Sequence, residues 1–312
     1  MNKMNNGSNM VFSIKKSSVK NCISCYLAGG LGNQLFQIFT TMAYSMRNNK
    51  KMILPYSEVL TTGIARPTYW ETFLSSLKKY TVENEENLCT NDDLSQFLLY
   101  REPSFHFYPL PVIEQNLLLY GYYQSYKYFE KEKESIFSAM HLREQQSMIM
   151  LEFPQYSVNN EDYYMISMHF RLGDYKEKQK FHPVMPYEYY DNALFRIFLH
   201  KPTTNPYRVL VFCEAEDSEV VESMVQRLRE KYRNNVIFEK VDISIPDWKQ
   251  LLIMSCCNSH IIANSSFSWW AAYMNESLDP IVCYPDVWFG PAIQGKSMRD
   301  MFPERWIQIR AG

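Results

Sequence analysis

Residues 163–175 read YYMISMHFRLGDY, and this stretch decides how the rest of the chain is read. Tyr163 to Met168 is an uncharged run of the kind that forms a buried strand, and it is followed at once by His169, Arg171 and Asp174. Open α/β sheets bind ligands in the crevice outside the carboxyl ends of their strands. An Arg placed there can grip a phosphate or carboxylate with a two-pronged fork, and a His and an Asp beside it can handle a proton. The plain alternative is an Arg–Asp pair across a turn, with His169 as a satisfied core residue.

Downstream of this stretch the pattern is regular. Strands are expected at Tyr163–Phe170, Arg208–Cys213, Val236–Glu239, His260–Asn264 and Ile281–Tyr284, with helices at Pro186–Leu199, Ser218–Tyr232, Asp247–Cys256 and Ser268–Asn275. The second of these helices shows an apolar face at Val220, Val221, Met224, Val225 and Leu228. Alternation at this spacing predicts a parallel, doubly wound sheet.

Upstream, Ile23 to Ala28 reads as a strand, Gly29-Gly30-Leu31-Gly32-Asn33-Gln34 as a tight turn, and Asn33 to Met46 as a helix with Asn33 as its N-cap. Strand, Gly-rich turn and helix make a phosphate-type cradle. The glycines fall short of a dinucleotide G-x-G-x-x-G, because the sixth position from Gly30 is Leu35. A bare strand–helix turn is the competing reading. Arg66-Pro67 and Arg101 to Pro111 look like loops, Glu83 to Asp93 like a solvated surface, and GYYQSYKYF at 121–129 like an aromatic corner that packs the first domain. A charged helix is expected over Glu130–Ser147. The simplest architecture is α/β with two Rossmann-like lobes facing across a cleft: a basic, disordered leader at 1–21, a first lobe at 22–158 and a second at 159–312.

Composition narrows the function classes. At 312 residues with 46% hydrophobic and 21% charged residues, the chain is that of a soluble globular protein. A net charge of −2 gives no electrostatic reason to expect nucleic acid. The seven cysteines form no regular framework, so a reducing compartment is expected and the thiols read as small buried hydrophobes. The uncharged runs 21–46 and 250–275 reach bilayer length, but Asn, Gln, Ser and Gly interrupt both, and neither reads as a membrane span. With no signal peptide or anchor legible, a cytoplasmic, soluble protein is expected.

A second constellation, Asn264-Ser265-Ser266-Phe267-Ser268-Trp269-Trp270, follows the strand HIIAN and opens the apolar helix WWAAYM. One Ser and the Asn are explained by capping. Hydroxyls and N–H groups clustered at a helix start also suit a pyrophosphate. The two tryptophans read as core anchors.

GGLGNQLFQ at 29–37, GYYQSYKYF at 121–129, HFRLGDY at 169–175 and NSSFSWWAA at 264–272 resemble, in order and spacing, glycosyltransferase family 11, the GDP-fucose-dependent α-1,2-fucosyltransferases. EYYDNAL at 188–194, VFCEAED at 211–217 and YPDVWFG at 284–290 are lesser matches, and the likeness runs from residue 22 to about 308. The resemblance implies a GT-B fold with GDP-fucose held mainly by the second lobe, and an inverting, metal-independent transfer to the 2-OH of a terminal β-galactose. It also implies that Arg171 binds the pyrophosphate and that His169 and Asp174 lie near the donor sugar. Gly30, Gly32 and Asn33 would line the first-lobe side, and Asn264, Ser265, Ser266, Phe267 and Ser268 the nucleotide side. Asp174 is the expected base, with His169 behind it.

The chain departs from that pattern in two places. Leu172 stands where many relatives carry a second Arg, and Phe212-Cys213-Glu214-Ala215 where many have F-S-D-D. No D-x-D metal motif is present; Glu214-Ala215-Glu216 comes nearest, and acids at a helix start explain it. Transfer to another sugar position or to a protein hydroxyl, and a catalytically silent glycan-binding protein, are the rival functions. A nicotinamide oxidoreductase is disfavoured by the incomplete glycine fingerprint.

Overall fold

The computed structural model describes residues 19–157, 162–293 and 295–312. Residues 1–18 of the expected leader, and the expected division at residue 158, lie outside the described residues.

The first sheet is built from β1 (Cys22–Cys25), which leads into α1 (Leu31–Asn48) and then β2 (Lys51–Met52). A small antiparallel pair follows, β3 (Val59–Leu60) with β4 (Arg66–Pro67), then the short α2 (Asn91–Ser95), β5 (Leu98–Arg101) and β6 (Leu117–Tyr120). The four sheet strands lie in the order β2-β1-β6-β5, all parallel. Two helices, α3 (Lys133–Ala139) and α4 (Leu142–Glu152), close this part. The single helix expected over 130–147 is thus broken: His141 takes a left-handed conformation (φ 54°) between α3 and α4. Arg66-Pro67, expected as loop, is a strand.

The second sheet alternates as its sequence predicts through β7 (Tyr164–His169), α5 (Tyr187–His200), β8 (Tyr207–Phe212), α6 (Ser218–Lys231), β9 (Val236–Lys240), α7 (Asp247–Ser255), β10 (Ser259–Ile261), α8 (Ser266–Tyr273) and β11 (Val282–Pro285), and adds an edge strand the sequence reading did not include, β12 (Ile307–Ile309). The order is β12-β11-β10-β7-β8-β9, all parallel. In sequence order that is the 3-2-1-4-5-6 arrangement of a Rossmann sheet, whose crevice opens where the order reverses, between the first and fourth strands. Those strands are β7 and β10. One detail of the periodicity fails: Val221, Val225 and Leu228 of α6 are buried, but Val220 is exposed, because it sits at the edge of the apolar face.

The two sheets share a core at the helices that abut the cleft. Phe36 and Phe39 of α1 pack on Trp269 and Trp270 of α8, each pair with ring centroids 4.5 Å apart. Phe129 stacks on Trp270 at 5.2 Å. Such pairs contribute about 0.5–1.5 kcal/mol each beyond their burial, and the ion pairs Lys127–Asp300, Arg143–Glu276 and Lys249–Glu152 cross the same seam nearer the surface. The tyrosine-dense corner serves this packing, as its sequence suggests: Tyr123, Tyr126, Tyr128 and Phe129 are all buried. All seven cysteines are free and six are buried, with the Cys25 thiol pushed up to about 12 by burial. No described helix is long and apolar enough to cross a membrane.

Candidate active site between the two sheets

A cleft of about 860 Å³ lies at the carboxyl ends of both sheets, a volume suited to a ligand larger than a single sugar. From the first sheet it takes Gly29 to Asn33 after β1, the Thr62-Gly63-Ile64 turn with Arg66 of β4, and Gly121-Tyr122 after β6. From the second it takes His169, Arg171, Asp174 and Tyr175 after β7, Glu214 after β8, Asp247 at the start of α7, and Ser265 to Phe267 at the start of α8. The two motifs singled out in the sequence therefore leave β7 and β10, the strands that flank the switch point.

The Gly-rich turn is positioned by two glutamines that its sequence gave no reason to single out. Gln37 is buried; its Oε1 accepts from the Ala28 N–H at 3.0 Å and its Nε2 donates to the Gly121 carbonyl at 3.1 Å. It thereby ties the ends of β1 and β6 together. Gln34 Nε2 donates to the Gly29 and Pro67 carbonyls at 3.0 and 2.9 Å, fixing the β3–β4 pair to the same turn. Helix α1 begins earlier than its sequence suggests. Gly30 is the N-cap and, having no side chain, makes no side-chain cap bond, while Asn33, three residues on, accepts through Oδ1 from Gln124 Nε2 at 2.7 Å. Asn33 lines the cleft but does not cap α1.

Arg171 is half-buried in the cleft with both arms of its fork engaged. Nη2 donates to Asp174 Oδ1 at 2.7 Å, and Nη1 pairs with Glu214. Its guanidinium lies over the Tyr175 ring at 5.0 Å, and that ring stacks in turn on His182 at 4.7 Å. Gly173 has φ +35°, and its N–H donates to the buried Asp217 at 2.6 Å, so the motif's turn is anchored beneath the Arg. Leu172 is 3% exposed and belongs to the second sheet's core, so the motif presents one guanidinium.

The titratable groups are tuned unequally. Burial, then the Arg171 charge, pushes the His169 imidazole from its ordinary 6.5 down to about 3. His169 is therefore neutral near pH 7. Burial raises the Asp174 carboxyl, but the Lys178 hydrogen bond and the Arg171 and Lys178 charges outweigh it, and its pKa lies below the ordinary value. Asp174 holds Arg171 through one oxygen and Lys178 through the other, at 3.1 Å.

The Ser-rich segment divides. Ser265 is the N-cap of α8, its Oγ accepting from the Phe267 N–H at 3.3 Å, and Ser265, Ser266 and Phe267 line the cleft. Ser268 and Asn264 do not. Ser268 is fully buried with its Oγ donating to the Ser265 carbonyl, and Asn264 Nδ2 donates to the Pro183 and Trp288 carbonyls. Both are structural: at helical spacing Ser268 turns into the core, and Asn264 pins two loops. Sequence reading missed Arg66, Tyr69 and Asp247, which meet only through the fold. Tyr69 OH donates to Asp247 Oδ2 across the cleft at 2.5 Å.

Residues 4–310 match the family model described as Glycosyl transferase family 11. The chain is 26% identical over 201 residues to the O-antigen biosynthesis glycosyltransferase WbnK of Escherichia coli, an alignment that covers 63% of this chain and 62% of that protein. It is 25% identical over 303 residues to an α-1,2-colitosyltransferase of E. coli, covering 91% and 97% of the two chains. Among solved structures, E. coli ADP-heptose lps heptosyltransferase II is similar with a TM-score of 0.47 and 11% identity, over 93% of this chain and 90% of that one.

Proposed function

The chain belongs to glycosyltransferase family 11, and from that premise we propose that it transfers L-fucose from GDP-β-L-fucose to the 2-OH of a terminal β-galactoside, with inversion and without a metal. The observation that carries this reading is Arg171 at the switch point, in the same cleft as the N-terminal turns of α1 and α8. Charge accumulates on the β-phosphate as the glycosidic bond breaks, and a guanidinium with aligned N–H dipoles meets it without rearranging.

In this reading the acceptor oxygen attacks fucose C1 from the face opposite the departing phosphate. The C1–O bond to GDP breaks and its electron pair leaves with GDP. The acceptor's proton goes to Asp174. Its carboxylate is held down by Arg171 and Lys178. A diphosphate that takes the Arg171 fork withdraws one of those partners. Burial, the largest influence on this carboxyl, then acts with less opposition and raises its basicity. Gly30, Gly32, Asn33, Ser265, Ser266 and Phe267 line the donor, while Asn264 and Ser268 support the segment from behind. The acceptor enters along the first-sheet side, past Tyr122 and the Thr62–Ile64 turn.

A second reading concerns the donor sugar. A relative aligned over 91% of this chain is named a colitosyltransferase, and colitose is fucose without its 3-hydroxyl. Incubation of the protein with GDP-fucose or GDP-colitose and lactose, N-acetyllactosamine or a peptide, in EDTA, separates these cases by acceptor-dependent GDP release. NMR of the product then gives the linkage. An α-1,2-fucosyl galactoside is expected; release with GDP-colitose alone favours the second reading. No acceptor-dependent release from either donor rejects both, and a linkage to another position rejects the acceptor assignment.

A further inference from the structure

The cleft is lined by three cationic side chains, Arg66, Arg171 and Lys178, and three acidic ones, Asp174, Glu214 and Asp247. Two of the cations are already spoken for. Arg171 pairs with Asp174 and Glu214, and Lys178 with Asp174. Asp247 accepts from Tyr69. Among the described residues Arg66 alone of the three cations has neither an ion pair nor a hydrogen bond from its side chain. We infer that Arg66, carried on the first sheet's side of the cleft, is the second diphosphate-binding guanidinium and engages the β-phosphate of the nucleotide sugar opposite Arg171.

Arg66 is stationed rather than loosely tethered. It pairs with Leu60 in the β3–β4 ladder, and the next residue, Pro67, has its carbonyl held by buried Gln34, which also holds Gly29 at the start of the Gly-rich turn. Two residues further on, Tyr69 reaches Asp247 of the second sheet's half. The strand that carries Arg66 is thus pinned to both walls. The Arg66 charge is felt at Asp174 and Tyr175, the residues that flank Arg171, which puts the guanidinium on the inner side of the cleft. The chemistry asks for such a group. A nucleoside diphosphate sugar carries a negative charge on each phosphate and gains another on leaving, whereas the Arg171 motif offers a single fork, Leu172 being buried. A cation without a carboxylate partner has no internal pair to break before binding an anion, so its contribution is less offset than that of Arg171.

This inference rests on the donor reading above, and its test keeps the two apart. GDP and GMP are titrated calorimetrically into the protein, its Arg66→Ala variant and its Arg66→Lys variant. Loss of one charge-assisted contact weakens binding ~10–100-fold. That loss is expected for GDP with Arg66→Ala, a change of under about threefold for GMP, and partial recovery with Arg66→Lys, because a point charge lacks the fork. GDP bound equally tightly by the wild type and Arg66→Ala overturns the inference and leaves the donor reading intact. An equal loss for GDP and GMP also overturns it, since the guanidinium then lies away from the β-phosphate. A wild-type protein that binds no GDP takes down both.

Discussion

Gly32 of α1 lies against the backbone of Ser266 at the start of α8, so close that a Cβ on Gly32 would come within 2.6 Å of the Ser266 carbonyl oxygen. The two helices belong to different sheets, and their N-terminal turns form the floor of the cleft. Glycine is required here by proximity and not by backbone conformation.

Gly32→Ala therefore sets two effects against each other. Alanine favours a helix over glycine by about 1 kcal/mol, but overpacking of a closed interface costs about 1–3 kcal/mol, and backbone atoms cannot turn aside as a side chain can. Overlap wins, so the variant should melt lower than the wild type and lose turnover as α1 and α8 separate. Gly30→Ala is the control: nothing lies within 4 Å of its Cβ position and its φ is −74°, so only the N-cap preference of glycine over alanine opposes it and its melting temperature should fall less than that of Gly32→Ala. Thermal melts of both variants decide this, and a Gly32→Ala protein as stable as the wild type contradicts the close approach.

Arg171→Ala should lower turnover with GDP-fucose by ~10²–10³-fold, the scale for removing one donor aimed at developing negative charge. Arg171→Lys should recover little, because Asp174 and Glu214 hold two separate arms of the guanidinium and one ammonium cannot occupy both places. Steady-state kinetics with an acceptor at saturation supply the check. Near-normal turnover of Arg171→Ala would remove the motif from the charge-stabilising role.

Both the fold and the site were unevenly legible in the sequence. The second sheet could be read because β7 and β8 are six-residue strands of mostly buried, apolar residues and α6 is amphipathic. The first sheet was legible only at its start, where β1 leads into α1. Its edge strand β5 exposes Leu98 and Leu99 to solvent, and β2 has two residues, so neither shows a buried strand's pattern. The same asymmetry governs the site. Arg171 and Ser265 stand in local motifs at strand ends, whereas Tyr69 and Asp247 are 178 residues apart and nothing near either announces the other. Gln34 and Gln37 lay within a recognised motif, but their work is to bond backbone carbonyls and N–H groups brought in from elsewhere, which no spacing rule encodes.

The base can be tested through the pH dependence of turnover. With His169 held near 3, its protonation lies far below the working range, so kcat between about pH 5.5 and 8 should carry no inflection from this residue. Asp174→Asn should abolish most turnover and flatten the acidic limb of the profile, while GDP still binds because Arg171 keeps Glu214. An Asp174→Asn enzyme with an unchanged acidic limb and full turnover would leave that carboxylate only the task of orienting Arg171.

Stability against pH tests the buried imidazoles themselves. His169 and His260, the latter with Nδ1 at 2.8 Å from Ser167 Oγ, are both pushed by burial from the ordinary 6.5 to about 3. A depressed pKa in the fold means that the unfolded chain takes up the proton first. The stabilisation is complete above about pH 6.5 and is lost progressively as pH falls toward 3, by about 1.4 kcal/mol per pH unit for each histidine at most. Glu102 works in the opposite sense. Burial pushes its carboxyl up to about 6 from the ordinary 4.5, although the Tyr123 and Tyr122 N–H groups oppose the shift, so the fold binds this proton first between those values. Two histidines against one glutamate leave a net loss of stability from pH 6.5 to 4.5. Urea unfolding at pH 7, 6 and 5 should show it, and His260→Gln should make the decline shallower by removing one of the two contributions. A wild-type protein whose unfolding free energy is flat over that interval would mean that the imidazoles find a proton acceptor or solvent inside the fold.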